Sequence, residues 1–389
     1  MKLNLFSKET VSAVVGTSLV FTVILLYQFL SLRNMSYFIS SKVINAMLYD
    51  ATIGDSIARL HEIISKDTDM KRILYTATCS NESQGACISN CTRPLNPDPE
   101  TRLLDILTSP NLTLSEHQRR LILSMGQAIP ESDVIFVSAS SSNHYDEMQD
   151  MFYSLHKTVY PRVNNFTVVL FDIGLTEEQR IMTEKHCRCR VVTFPYENFP
   201  AHVRELHCYA WKPLLIRAAF EKARRLLVYQ DASIRWTDRI QQVLDRGWDI
   251  GVQIFRVDGK VRIPLHTLIQ TFNYFGEEPC AFDIFPQILS GLSVYRKDSF
   301  NIRAIMEPWA RCAIEPQCMC PVIPPKTVKL CSGEYKYHRC HRFDQSALAM
   351  ITAKIFGPDL HRVLAPNISQ LVSICRGSKM PNYFNSTKN

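Results

Sequence analysis

The chain has 389 residues, of which 46% are hydrophobic, and a net charge of +7 at neutral pH. This charge is modest and no basic run is interleaved with aromatic residues, so we expect no nucleic-acid partner. Thirteen cysteines are unusual in the reducing cytosol and ordinary in the secretory lumen, which argues against a cytosolic protein.

An uncharged apolar segment near the N-terminus, residues 10–32, is long enough to span a bilayer. It runs into Arg33 without the small-residue site that follows a signal peptide, so we interpret it as an uncleaved transmembrane signal anchor. Residues 1–9 would then form a cytosolic tail. Flanking charges do not decide the orientation, since two lysines precede the segment and Arg33 and Lys42 follow it.

Seven Asn-x-Ser/Thr acceptor sites indicate a glycosylated chain. Chance would give roughly two or three such sites at this Asn, Ser and Thr content. All seven follow the apolar segment, so we predict a single-pass type II protein of the Golgi or ER membrane with its C-terminal part in the lumen. The acceptor residues are Asn34, Asn81, Asn90, Asn111, Asn165, Asn367 and Asn385.

Residues 33–130 carry weak signals and are predicted to form a lumenal stem. Apolar residues over 44–64 recur at mixed helical spacing and favour a helix. The loop 78–99 is rich in Asn, Cys and Pro, and its three cysteines predict local disulfide bridges. A change of composition at Pro130 marks the predicted start of the folded domain, residues 131–389.

Beyond Pro130, apolar strands alternate with helical patterns. Strands are predicted over residues 133–140, 166–172, 189–194 and 226–229, and helices over 148–160 and 204–225. Thr176 and Gln179 form a capping box that opens a further helix. This alternation predicts βαβ units, and therefore an α/β fold with a mixed, mostly parallel sheet flanked by helices.

Asp231 follows the fourth predicted strand, at the edge where open α/β sheets bind their ligands. A carboxylate there can hold Mn²⁺ or Mg²⁺ against a diphosphate, although Asp is also common after strands because it favours turns. We predict Asp231 as a metal-binding residue, with Ser233 on the ribose or on a metal-bound water. Leaving diphosphates are neutralised by a cation or by basic side chains, for which Lys212 and Arg235 are candidates.

Two other enzyme classes fit the sequence less well. A dinucleotide enzyme needs a Gly-rich turn after the first strand, but the turn that begins at Ser138 is rich in serine and the chain has no G-x-G spacing. Pro325-Lys326-Thr327 matches the donor loop of sulfotransferases in three letters, yet it has no preceding strand.

A dense group of cysteines and histidines late in the chain suggests zinc or disulfides. The spacings lack the C-x2-C pairs of zinc sites and the compartment is oxidising, so we predict disulfides. The odd total leaves at least one cysteine free or bonded to a second chain, which makes a disulfide-linked dimer an expectation. The group comprises Cys312, Cys318, Cys320, Cys331, Cys340, His338 and His341.

Three segments resemble the glycogenin-like retaining glycosyltransferases of the GT-A fold. YAWKPLLI (209–216) followed by VYQDAS (228–233) is similar to their helix and D-x-D stretch, and HRFDQSAL (341–348) to their later Asp-Gln helix start. From about residue 133 to 374 the chain also resembles an uncharacterised family of animal type II membrane proteins assigned a GT-A-like domain. It departs from the D-x-D pattern at Ser233, which is a poorer metal ligand than a carboxylate.

This resemblance implies a glycosyltransferase that moves a sugar from a nucleotide-diphosphate donor to a glycan or protein acceptor, with retention of configuration. It implies Asp344 and Gln345 as catalytic residues, although Asp344 also suits a helix N-cap. Lys212 lies near the position of a donor-binding arginine, although it could equally be a solvated helix residue. The alternative is a catalytically inactive lumenal protein of the same fold that binds glycans or partners. The predicted donor-binding residues are Ser138, Lys212, Asp231, Ser233, Arg235 and Gly291.

Overall fold

The computed structural model describes residues 51–67, 72, 74–75, 91–257, 259, 261–322, 328, 331, 337–365, 368–377 and 379–386. Residues 55–389 form one compact unit. The predicted boundary at Pro130 falls inside this unit. Helices that precede Pro130 pack on helices that follow it, as set out below.

The strands form a six-stranded sheet and a two-stranded sheet. Their bounds are β1 (Ser132–Ser140), β2 (Phe166–Asp172), β3 (Arg190–Thr193), β4 (Ala223–Gln230), β5 (Ile234–Trp236), β6 (Val252–Arg256), β7 (Ile288–Arg296) and β8 (Val372–Ile374). The large sheet has the order β3-β2-β1-β4-β7-β6, and β5 pairs with β8. Strands β3, β2, β1 and β4 are parallel, whereas β7 runs antiparallel to both β4 and β6. The predicted mixed, mostly parallel sheet is therefore confirmed.

The helices cover both faces of the large sheet. Their bounds are α1 (residues 51–65), α2 (Pro99–Thr108), α3 (Glu116–Met125), α4 (Tyr145–Ser154), α5 (Glu177–His186), α6 (Trp211–Phe220), α7 (Ile240–Ile250), α8 (Ile269–Phe275), α9 (Glu307–Ile314), α10 (Pro316–Met319), α11 (Asp344–Phe356), α12 (Ile368–Leu371) and α13 (Tyr383–Ser386). One apolar core joins α4 and α7 to the side chains of Phe136, Val228 and Val294. On the other side, α6 packs on β1 and β4 and α11 packs on β7, while α2 and α3 pack on α11 and α6.

Several local predictions are confirmed because local physics decides them. The second strand has the predicted bounds. The Thr176 hydroxyl accepts from the Gln179 N–H and the Gln179 side chain accepts from the Thr176 N–H, which completes the predicted capping box of α5. The helix that begins at Tyr145 continues beyond α4 as a π-helical segment, Leu155–Val159, and so covers most of the predicted range.

The long helix predicted over residues 204–225 is wrong. The structure has two short 3-10 turns, Ala201–Arg204 and Leu206–Cys208, and the regular helix α6 follows only from Trp211. Tyr209 lies between them with a left-handed backbone, φ 51°, which cannot continue a right-handed helix. At its other end α6 stops early because β4 begins at Ala223, in register with β1.

The local bridge predicted in loop 78–99 is wrong for Cys91. This cysteine is bonded to Cys280, which lies 189 residues away, so the bridge joins two distant parts of the same compact unit. The other two cysteines of the loop, Cys79 and Cys87, lie outside the described residues.

The predicted membrane anchor, residues 10–32, also lies outside the described residues. In the part of the chain that is described, no helix is both long and apolar enough to cross a bilayer. Three of the predicted glycosylation sites can be located. Asn111, Asn165 and Asn385 are all exposed, as a glycan requires.

Candidate functional site

Asp231 lies at the carboxyl edge of the parallel strands, directly after β4. Its backbone N–H donates to the carbonyl of Gly291 in β7 at 2.8 Å, and its own carbonyl accepts from the N–H of Ile234 at 3.0 Å. The carboxylate side chain is 36% exposed, so a ligand at this edge can reach it. The structure therefore places Asp231 at the end of a strand, as predicted.

Lys212 is the centre of a buried charge cluster that we call the acid–lysine triad: Asp231, Lys212 and Asp344. The Lys212 ammonium lies 3.1 Å from Oδ1 of Asp231 and 2.9 Å from Oδ2 of Asp344. These residues come from the end of β4, the first turn of α6 and the first residue of α11. Only 3% of the Lys212 side chain is exposed, which excludes the solvated helix residue as its role.

The two carboxylates of the triad keep Lys212 protonated although it is buried. Burial alone lowers the pKa of Lys212, but the two carboxylates outweigh that effect and raise the pKa above its ordinary value, so the ammonium is retained. Burial raises the pKa of Asp344, against the opposing effect of Lys212. With both acids ionised, one ammonium faces two carboxylates and the cluster has a net negative charge.

Tyr229 fixes the orientation of Asp231. Its hydroxyl donates to Oδ1 of Asp231 at 2.6 Å, and its ring centroid lies 5.1 Å from the Lys212 ammonium. One carboxylate oxygen thus holds both the tyrosine and the lysine. Within the described residues the other oxygen, Oδ2, makes no hydrogen bond or ion pair and remains available to a ligand.

Gly291 lies directly beneath this second oxygen. A Cβ built at Gly291 would come within 2.7 Å of Oδ2 of Asp231, closer than real Cβ atoms approach other groups. The absence of a side chain at Gly291 thus lets the backbone approach the Asp231 carboxylate, and donor binding by this glycine stays a prediction.

We expect Gly291→Ala to displace the Asp231 carboxylate, because Tyr229 and Lys212 leave it little freedom to move aside. The melting temperature should fall by a few degrees, as is typical of about 1–3 kcal/mol of overpacking. Thermal unfolding of the full chain in detergent checks this. Gly54→Ala is the matched control, since an added Cβ there meets nothing within 4 Å; equal melting of Gly291→Ala and wild type would show that the contact is not rigid.

Asp344 is the first residue of α11 and its side chain faces Lys212, not the helix backbone. The residue in the N-cap position is Phe343, and no side chain caps this helix. The capping role is therefore excluded for Asp344. Gln345, its predicted catalytic neighbour, is also buried, and its backbone N–H donates to the carbonyl of Arg342 at 2.9 Å.

The remaining predicted donor-binding residues lie on neighbouring elements. Ser138 is buried near the end of β1. The Ser233 carbonyl accepts from the N–H of Cys375 at 2.8 Å. Arg235 donates to the backbone of Glu147 at 3.0 Å and pairs with Asp150 at 3.4 Å, which joins β5 to α4. Donor binding by these three residues stays a prediction.

Basic side chains that we did not predict also lie near the site. Hydrogen bonding to Glu147 raises the pKa of His144, and the nearby charge of Asp231 adds to this effect. Burial lowers the pKa of Arg342, and the positive charge of the exposed Arg376 lowers it further. Arg376 comes close because β8 pairs with β5. Its proximity depends on this long-range pairing and could not be predicted from the local sequence. Arg342 and His144 adjoin predicted motifs and could have been considered.

The late cysteines form disulfides, as predicted. Within the part of the chain that is described, no cysteine of this group is left as a thiol that could bind zinc. Among the described cysteines, Cys375 forms no disulfide, so the predicted bond to a second chain would use this residue if it uses a described one. The bridges are Cys208–Cys320, Cys312–Cys318 and Cys331–Cys340, together with Cys187–Cys189 earlier in the chain.

Two buried histidines, His266 and His341, predict a loss of stability in acid. Burial lowers the pKa of His266 to about 4 and that of His341 to about 3. Both stay neutral in the folded state, whereas the unfolded chain takes up protons below pH 6.5 or so. Because the unfolded state binds more protons, the free energy of unfolding falls as pH drops from about 6.5 towards 4, by about 1.4 kcal/mol per pH unit for each histidine.

Urea unfolding of the full chain at several pH values in this range measures the slope. His341→Gln should show a shallower slope than wild type, because one of the two groups that bind protons on unfolding is gone. A slope that is unchanged in this variant would contradict the account of His341.

The fold places the triad at the carboxyl edge of the parallel strands in a mixed α/β sheet, which makes it a candidate ligand site. A family model described as "Protein of unknown function (DUF1647)" matches residues 101–217. This segment contains β1, β2, β3 and Lys212, but neither acid of the triad. Among curated proteins none matches the chain.

Solved structures that are similar to the chain are glycosyltransferases of low identity. The bifunctional glycosyltransferase WbbM is 12% identical with a TM-score of 0.34, covering 59% of this chain, which spans only 38% of WbbM. Mouse xyloside xylosyltransferase 1 is 12% identical with a TM-score of 0.36, and the match covers 60% of this chain and 84% of the xylosyltransferase chain. Core-mannan synthase A from Aspergillus fumigatus, in its Mn/GDP form, is 10% identical with a TM-score of 0.29, covering 46% and 64%.

Proposed function

We propose that this chain is a glycosyltransferase of the secretory pathway that moves a sugar from a nucleotide-diphosphate donor to a glycan or protein acceptor. The observation that carries the proposal is the acid–lysine triad at the carboxyl edge of the sheet. An accessible carboxylate there is held by a buried lysine that also orients a second, buried acid. Strongly perturbed pKa values of this kind cluster at functional sites.

The accessible oxygen of Asp231 suits a divalent cation that bridges to a diphosphate. Mg²⁺-type ions are often held by one or two carboxylates and complete their shell with phosphate oxygens and water. Among the described residues, no group of three His, Cys, Asp or Glu ligands includes Asp231. A cation would therefore depend on the diphosphate for most of its ligands, and its chemistry would be to neutralise the leaving group.

Basic side chains near the triad also support an anionic donor. His144 lies within electrostatic range of Asp231, and Arg342 within range of Asp344 and Arg376. Positive charges so placed would neutralise the charge that develops on a leaving diphosphate. Asp344 would act on the sugar, either as a base or by orienting a hydroxyl group, while Lys212 fixes the position of its carboxylate.

One observation favours a second candidate, a catalytically inactive protein that binds glycans or partners. Only 5% of the Asp344 side chain is exposed, and its carboxylate is already paired with Lys212. Ser233 also replaces the second carboxylate of the D-x-D pattern. Both features are compatible with a site that binds a ligand without acting on it.

A binding screen tests the proposal. Uridine, guanosine and cytidine diphosphate or monophosphate sugars are added to the full-length protein in detergent, with and without Mn²⁺, and the melting temperature is recorded. We expect one nucleotide class to raise it by several degrees at about a hundred times its Kd, which corresponds to about 2.7 kcal/mol. If no sugar nucleotide stabilises the protein, the proposal fails.

The secretory location has its own test. Treatment of the expressed protein with an endoglycosidase should lower its apparent mass in several steps, because Asn111, Asn165 and Asn385 are exposed acceptor sites. A triple Asn→Gln variant at these positions should lose the corresponding part of the shift. A mass that does not change on treatment would contradict the type II topology.

A further inference from the structure

Tyr209 is an aromatic side chain that the triad does not use. It is 40% exposed, which sets it apart from its largely buried neighbours Trp211 and Phe343. Its backbone has φ 51° and ψ 18°, a left-handed conformation that is an outlier for a bulky residue. Strained residues of this kind persist only where the surrounding structure holds them, and they cluster at functional sites.

The surrounding structure holds Tyr209 from both sides. Cys208, immediately before it, is bonded to Cys320, and the Tyr209 carbonyl accepts from the Lys212 N–H at 3.0 Å. The strained residue therefore begins the turn that positions Lys212. Its ring centroid lies 5.4 Å from the Lys212 ammonium, so this partly exposed ring lies beside the triad.

A second strained aromatic residue faces Tyr209. Phe343 has φ 45° and lies directly before Asp344, and the two ring centroids are 6.3 Å apart. The helices that carry Lys212 and Asp344, α6 and α11, thus each begin close to an aromatic residue with an unfavourable backbone conformation. Phe343 is buried beside the Tyr209 ring, whereas Tyr209 is 40% exposed.

The position of Tyr209 in the site indicates which ligand it contacts. Tyr209 precedes α6, which packs on β1 and β4, and its partner Phe343 precedes α11, which packs on β7. The Tyr209 and Phe343 pair adjoins Asp344 at the start of α11. It therefore lies beside the acid that is proposed to act on the sugar, where a second substrate can approach the transferred sugar.

We propose that the Tyr209 ring is the platform on which a pyranose ring of a glycan acceptor stacks, a role that rests on the proposed transferase function. An aromatic ring presents a large apolar face, which suits the C–H face of a sugar, and the tyrosine hydroxyl can form a hydrogen bond with a sugar hydroxyl group. Phe343 is a positioning residue, because it contacts Tyr209 and not the sugar. The acceptor class is accordingly a glycan and not an unmodified polypeptide.

Saturation-transfer NMR on the full-length protein in detergent tests this platform without any donor. The probes are the methyl glycosides of glucose, galactose, mannose, xylose and N-acetylglucosamine, and an unglycosylated Ser/Thr peptide is added in a separate arm. We expect at least one glycoside to receive saturation on its ring protons in the wild type. Tyr209→Gly should reduce this transfer about tenfold, and Tyr209→Phe should keep it within about twofold, because stacking needs the ring and not the hydroxyl.

The variants separate loss of the ring from loss of the fold. Glycine adopts positive φ readily, and this relief of strain offsets part of the packing lost with the ring, so Tyr209→Gly should melt within a few degrees of the wild type. Trp248, on α7, is another exposed aromatic residue, and its ring contacts the Arg225 guanidinium. Trp248→Ala should leave glycoside binding unchanged.

Saturation of a glycoside that persists in Tyr209→Gly, or its absence from the wild type with all five probes, would overturn the platform. Binding of the peptide alone would overturn the choice of a glycan. The nucleotide screen described above is independent of these results. A protein that binds glycosides through Tyr209 but binds no sugar nucleotide would keep the platform and lose the transferase function.

Discussion

Replacement of Lys212 by methionine should lower the free energy of unfolding by about 3–5 kcal/mol, the largest effect of any single change that we predict. The substitution keeps most of the side-chain volume but removes the ammonium that lies between Asp231 and Asp344. Asp344 is then a buried carboxylate without its cation, and it must either stay charged in an apolar environment or take up a proton. Urea unfolding of the full chain in detergent measures the loss.

A double variant distinguishes the unpaired charge from a simple packing defect. Lys212→Met combined with Asp344→Asn removes both buried charges and should recover most of the lost stability, because replacing both partners of a buried pair is far less costly than removing one. Lys185→Met, at an exposed position of α5, should change stability by no more than about 0.5 kcal/mol. If the double variant is as unstable as Lys212→Met alone, the two charges are not coupled.

Asp231→Asn should weaken the binding of the sugar nucleotide by about ten- to a hundredfold. A hydrogen bond to a charged group contributes about 1.5–3 kcal/mol, and each 1.4 kcal/mol is a factor of ten in affinity. The amide keeps the shape of the carboxylate and can still accept from Tyr229, so the fold should be preserved. Calorimetric titration of the donor, with and without Mn²⁺, measures the change.

Metal dependence is the more specific part of this prediction. We expect Mn²⁺ to bind weakly to the protein alone and to strengthen donor binding in the wild type, because the described residues near Asp231 supply few ligands. Asp231→Asn should remove this enhancement, and Ser233→Asp should increase it by restoring a second carboxylate. Donor binding that needs no metal and survives Asp231→Asn would transfer the neutralising role to His144, Arg342 and Arg376.

Local patterns predicted much of the fold, because strands and caps are set by neighbouring residues. The bounds of β2 and the capping box of α5 follow from apolar runs and from one hydroxyl group. The position of Asp231 follows in the same way from the end of an apolar strand. Parallel strands with intervening helices then bring such strand ends to one edge of the sheet.

Contacts between distant parts of the chain could not be predicted. Nothing near Lys212 in the sequence indicates that it is buried, since its two acid partners come from β4 and α11. The bond between Cys91 and Cys280 joins segments that are 189 residues apart. The left-handed backbone of Tyr209 is equally hidden, because tyrosine does not favour that conformation and only its surroundings impose it.

The central claim, that the triad transfers a sugar, is tested most directly by turnover of the donor. The sugar nucleotide that stabilises the protein most is incubated with the full chain, and release of the nucleoside diphosphate is followed for the wild type and for Asp344→Asn. We predict slow release by the wild type with water as acceptor, and a loss of at least about a hundredfold in the variant, which should still bind the donor. Donor that binds to the wild type and is never turned over, with or without glycan acceptors, would contradict the claim and leave an inactive glycan- or partner-binding protein.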